Sequence, residues 1–202
     1  DFQNKALGRL RERQVKAQRR YKQDSEKNII PFTAPTGAGK TIIMSAFIEA
    51  LYTGDTYQGG QNDAIVLWIS DAPELNEQSK DKLYKVADKL RNRQVVTIDE
   101  QNFKADKLQL GTIYYVNTQK FGVNSNLVKY SDSRNYTGWD FMRNTIEEYG
   151  DKLVVIIDEA HRGAKPNEIG TQMSIMQKFV LGSEADNMPS MPLIIGMSAT
   201  LE

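Results

Sequence analysis

A chain of 202 residues, 40% hydrophobic and 26% charged, can bury one core and has the balance of an ordinary globular domain, which excludes a disordered or collagen-like polymer. Its 26 cations cancel its 26 anions, so overall charge makes no case for nucleic acid, and the lack of cysteine excludes disulfides and thiolate zinc sites. No run approaches eighteen apolar residues and the N-terminus has no signal-peptide pattern, so a soluble, cytoplasmic protein is expected.

In chain order, Leu7, Leu10, Gln14, Ala17 and Tyr21 recur at three- and four-residue steps and predict a helix within residues 1–27. This segment is basic, with Lys5, Arg9, Arg11, Arg13, Lys16, Arg19, Arg20 and Lys22 against Glu12, a run that ordinarily makes a solvated helix face. Asn28–Thr33 reads as a strand, and Ile43, Phe47 and Leu51 mark a helix from about Lys40 to Tyr52. Ala64–Ile69 is apolar at consecutive positions, as in a strand covered on both faces, and leads into a helix over Glu74–Leu90. Val95–Ile98 and Thr112–Val116 are further strands, and the polar, turn-rich residues 122–138 are expected to form an exposed insertion loop. Trp139, Met142, Ile146 and Tyr149 restore helical spacing; Leu153–Ile157 is a strand, Glu168–Leu181 a helix and Pro192–Met197 the last strand. The alternation predicts an α/β fold with helices on both sides of a mostly parallel sheet, in one domain spanning residues 1–202. The chain stops immediately beyond the last strand, at Ser-Ala-Thr-Leu-Glu, and is expected to be a fragment of a longer protein.

Two stretches carry chemistry. Ala34-Pro-Thr-Gly-Ala-Gly-Lys-Thr41 lies between a strand and a helix, where Thr36, Gly37, Ala38 and Gly39 can turn backbone N–H groups toward phosphates, Lys40 can reach the β and γ phosphates and the Thr41 hydroxyl can join Mg²⁺. Its first position is alanine, where the strict pattern has glycine. The second stretch, Asp158-Glu159-Ala160-His161, follows a strand, at the edge where open α/β sheets bind ligands. If that strand neighbours the one before the loop, Asp158 can hold Mg²⁺ through water while Glu159 orients the attacking water. A zinc site is a poor alternative, because the chain has one histidine and no cysteine, and a purely structural His161 is another. Pro192–Met197 ends in Ser198-Ala199-Thr200; if it pairs in parallel with Leu153–Ile157, the Ser198 and Thr200 hydroxyls come within reach of His161 or Glu159, which would make His161 a coupler between strand ends.

APTGAGKT, DEAH and SAT, in this order and at these strand ends, resemble motifs I, II and III of the first RecA-like domain of superfamily two helicases and translocases, over essentially the whole chain. The resemblance implies a three-layer P-loop NTPase fold, ATP and Mg²⁺ as cofactors, DNA or RNA as the track and a second RecA-like domain as partner. It also implies that Gln14, within Leu-Arg-Glu-Arg-Gln-Val-Lys-Ala, reads the adenine edge from the N-terminal helical region. Ser70-Asp-Ala-Pro-Glu-Leu, Val116-Asn-Thr-Gln-Lys-Phe and DEAHRG are most similar to the restriction subunits of type III restriction-modification enzymes. That likeness implies DNA as the polymer, a nuclease elsewhere in the parent, a modification (methyltransferase) subunit as partner, and strand-phosphate contacts at Ser70, Pro73, Thr118 and Gln119. Two other classes compete. A guanine-nucleotide switch would need an Asn-Lys-x-Asp element, which Asn117-Thr-Gln-Lys does not supply; the other is a non-catalytic nucleic-acid-binding module with a vestigial loop.

Overall fold

A computed structural model describes residues 2–34, 39–158 and 173–199. Six strands, β1 (Asn28–Ala34), β2 (Ile65–Ser70), β3 (Val95–Thr97), β4 (Ile113–Asn117), β5 (Leu153–Ile157) and β6 (Leu193–Ala199), form one sheet in the order β1-β6-β5-β2-β4-β3. Every pairing is parallel. Strands β2, β4 and β5 are buried at every position because both faces are covered. Val66 and Trp68 of β2 join the core under α1 (Phe2–Asp24), α2 (Lys40–Thr53) and α3 (Pro73–Val86), whereas Ile65, Leu67 and Ile69 join the core under α4 (Gly138–Tyr149) and α5 (Ile175–Leu181). The three-layer expectation is met, with a sheet that is wholly parallel.

Local chemistry sets several boundaries. The expected helix to Leu90 ends at Val86, and Asp88–Leu90 continues as a single 3₁₀ turn after Ala87 leaves helical geometry. The helix expected from Glu168 begins at Ile175, because Ser174 and Gln177 form a reciprocal capping box; residues 159–172 lie outside the described residues. Residues 122–138 are mostly exposed, and three side chains tie the segment down. Leu127 is fully buried, Thr137 caps α4 with Asp140, and buried Arg134 donates to the carbonyls of Phe103 (2.7 Å) and Glu100 (2.6 Å). Among the described residues no helix is long and apolar enough to cross a membrane.

Candidate functional site

Parallel strands send all their carboxyl ends to one rim. Reading across the sheet, β1 leads to Gly39, Lys40 and Thr41, β6 ends near Ser198, β5 leads to Asp158, β2 to Ser70–Pro73 and β4 to Thr118 and Gln119. The register aligns these ends: Thr33 lies opposite Ser198, Ile157 opposite Gly196, and the Asp158 N–H donates to the Ile69 carbonyl at 2.9 Å, extending the β5–β2 ladder by one residue. The strand pairing on which the coupler idea depends, β5 beside β6, is present. The strand before the glycine loop is not a neighbour of β5: β6 lies between them, so Lys40 and Asp158 flank Ser198 from strands about 10 Å apart.

Gly39 begins α2 in the left-handed region, φ 78° and ψ 32°, and its carbonyl accepts the first helical bond from Ile43 at 2.9 Å. The positive φ favours glycine there; a β carbon would lie 3.0 Å from Nε2 of the exposed Gln3 side chain, which can move aside. Among the described residues no side chain caps this helix start and no acid sits in its first turn, so the backbone donors and the positive helix end face the rim. Lys40 is half-buried and its amine is 3.4 Å from the Ala34 carbonyl, a long bond that leaves the charge available. Thr41 is half-buried, and its carbonyl accepts the Ser45 hydroxyl at 2.8 Å. These features suit an anion held by backbone N–H groups and a lysine. Thr36, Gly37, Ala38, Glu159, His161 and Thr200 lie outside the described residues.

Gln14 is not brought to this rim. It is fully buried, its Oε1 accepts from Arg11 and its Nε2 donates to Gln18. Arg11 is itself buried and is held by Asp55, just beyond α2, through a 2.7 Å bond from Nε to Oδ2. The glutamine of α1 that lies against the glycine loop is Gln3, eleven positions or about 16 Å along the helix from Gln14. The warning in the sequence is the apolar stripe itself: a glutamine in register with Leu10 and Ala17 occupies a core position and needs partners inside.

The candidate nucleic-acid contacts divide. Ser70 is fully buried, with its hydroxyl 2.8 Å from both the Ala72 carbonyl and Asn76 Oδ1, so it positions the start of α3 and presents nothing outward. Pro73 is exposed in the first turn of α3, and Gln119 is exposed on the 3₁₀ turn Thr118–Phe121, with Thr118 half-buried beside it. Ser70 pairs with Asn117, so the two segments sit side by side. Asn117, not singled out from sequence, is buried here with Oδ1 lacking a partner among the described residues; an asparagine closing an apolar strand was the available signal.

A family model described as the type III restriction enzyme, res subunit, matches residues 3–202. The chain belongs to that family. Membership makes this res-subunit domain one of helicase ATPase type. No curated protein matches the chain. Among solved structures it is similar to the Hef helicase domain of Pyrococcus furiosus, with a TM-score of 0.43 and 16% identity, over 92% of this chain and 31% of that one. The res-subunit domain thus spans about a third of that structure's length.

Proposed function

We propose that this chain is the ATP-binding half of a nucleic-acid-dependent motor, acting on DNA within a type III-like restriction endonuclease. The observation that carries the reading is the arrangement of Gly39, Lys40 and Thr41 after β1, Ser198 at the end of β6 and Asp158 after β5, on three adjacent strand ends of one parallel sheet. Backbone N–H groups at the start of α2 and Lys40 would hold the β and γ phosphates; Thr41 and, through water, Asp158 would hold Mg²⁺, which when bound supplies charge neutralisation. From the DEAH sequence, Glu159 would orient the attacking water, and His161 with Ser198 and Thr200 would relay phosphate state to the nucleic-acid side. Pro73, Thr118 and Gln119 are the outward-facing candidates for strand phosphates. Transfer needs more positive charge than Lys40 and Mg²⁺ bring, and that charge is assigned to an arginine of a second RecA-like domain.

Binding of a fluorescent ATP analogue with Mg²⁺ tests the nucleotide site. The 202-residue protein is expected to bind it, to prefer ATP over GTP in competition, and to turn over little ATP alone. Affinity unchanged in Lys40→Ala, or robust turnover by this chain alone, contradicts the reading. In the full-length parent, Glu159→Gln is expected to trap ATP, and His161→Ala to abolish stimulation of hydrolysis by DNA.

A further inference from the structure

Zero net charge conceals a strong local asymmetry. In α1, eight cations stand against Glu12 and Asp24, and only Arg11 among the eight is itself buried, where it is held by Asp55. Arg9, Arg13, Lys16 and Arg20 follow one another by steps of four, three and four residues, which places them in a single stripe, and all four are exposed. The stripe faces β1 across two adjoining hollows of about 240 and 300 Å³ that share Arg13, Ile30 and Pro31. Arg9 and Arg13 make no ion pair among the described residues. Lys16 pairs with Glu12 at 2.8 Å and Arg20 with Glu26 at 3.5 Å, both in open solvent, where such pairs exchange easily for another anion.

The strand on the other side of the groove is an edge. The Asn28 N–H donates toward β6, to the Pro192 carbonyl, so in the alternating pattern of a parallel ladder Ile29, Pro31 and Thr33 direct their backbone groups outward. Proline falls on an outward position, where it removes the middle donor of the three. An added peptide strand would therefore find a broken ladder, and the groove is left to an occupant recognised by side-chain charge. Along the helix the four cations stand at about 0, 6, 10 and 16 Å, a linear array suited to a row of phosphates.

We infer that the α1–β1 groove binds the phosphate backbone of duplex nucleic acid, as a second contact on the sheet edge opposite the β4 end that carries Thr118 and Gln119. This surface does not depend on the nucleotide reading of the glycine loop. The test is fluorescence anisotropy of a labelled duplex of about 20 base pairs, titrated with the 202-residue protein at several salt concentrations. A variant carrying Arg9→Gln, Arg13→Gln, Lys16→Gln and Arg20→Gln, its fold checked by circular dichroism, is expected to bind at least tenfold more weakly and to lose about 3–4 from the slope of log K against log salt. Replacing the three arginines by lysine should retain most of the slope, and Lys40→Ala should leave duplex affinity unchanged, so failure of the nucleotide reading is scored separately. A slope change below about one in the glutamine variant would overturn the inference. So would a poly-glutamate peptide whose binding depends on the four cations when duplex binding does not, the result expected of an acidic protein partner.

Discussion

Replacing Asp55 with alanine tests the link between the helix carrying Gln14 and the rest of the domain. Asp55 Oδ2 accepts Arg11 Nε at 2.7 Å, and Oδ1 accepts the backbone N–H groups of Tyr57 (2.8 Å) and Gln58 (3.2 Å). The Arg11 side chain is fully buried and that of Asp55 is 23% exposed. Removing the carboxylate strands a guanidinium in the interior, a loss of about 3–5 kcal/mol for a buried pair; because water already reaches Asp55, about 3 kcal/mol is expected. That is a large part of a domain's usual stability and corresponds to a fall in Tm of about 6–12 °C. Urea unfolding followed by circular dichroism should show a lower midpoint at unchanged slope. Arg11→Met combined with Asp55→Ala should recover part of the loss, with a coupling energy of about 2 kcal/mol. Burial pushes the Asp55 pKa up, but the Arg11 hydrogen bond and the Tyr57 and Gln58 N–H groups outweigh it and hold the carboxyl below its ordinary value. The stabilisation is therefore present above the unfolded carboxylate pKa and lost as pH falls through the lower folded value, so wild type and Asp55→Ala should converge in strong acid. A loss below about 1 kcal/mol at neutral pH would refute the buried-charge reasoning.

Lys40→Ala should abolish binding of the ATP analogue while changing stability by less than about 0.5 kcal/mol, since its amine makes only a long bond to Ala34; a large drop in Tm would mean that the lysine is structural. Gly39→Ala, which forces a side chain into φ 78°, should cost about 1–2 kcal/mol and weaken nucleotide binding, and an unchanged Tm would contradict the left-handed start of α2. Arg134→Ala removes the donors to the Phe103 and Glu100 carbonyls, so a loss of about 2–4 kcal/mol and faster chymotryptic cleavage near Tyr130 and Tyr136 are expected; unchanged proteolysis would show that the segment is held by something else.

The strands were legible because residues 65–69 and Leu153–Ile157 are buried on both faces, which leaves an unbroken apolar run that no surface element has reason to carry. The phosphate loop and the DEAH acids could be nominated from sequence as well, because the chemistry proposed for them needs particular residue types at short spacing. Helix boundaries were less so: Ser174 with Gln177, rather than the apolar spacing, sets the start of α5, and that signal is weak beside periodicity. Local patterns were silent on partners distant in the chain, such as Arg134 reaching back to Phe103 and Glu100.

By itself the sequence determined the kind of elements and their parallel sense, and it nominated candidates for holding a nucleotide, since these depend on side-chain period and on groups close together in the chain. Only the tertiary structure decided that β6 lies between β1 and β5, that Gln14 and Ser70 turn inward, and that four cations of α1 face an edge strand interrupted by Pro31. Strand order and side-chain direction depend on which surfaces the folded chain leaves in water, and that is set by packing between segments distant in sequence.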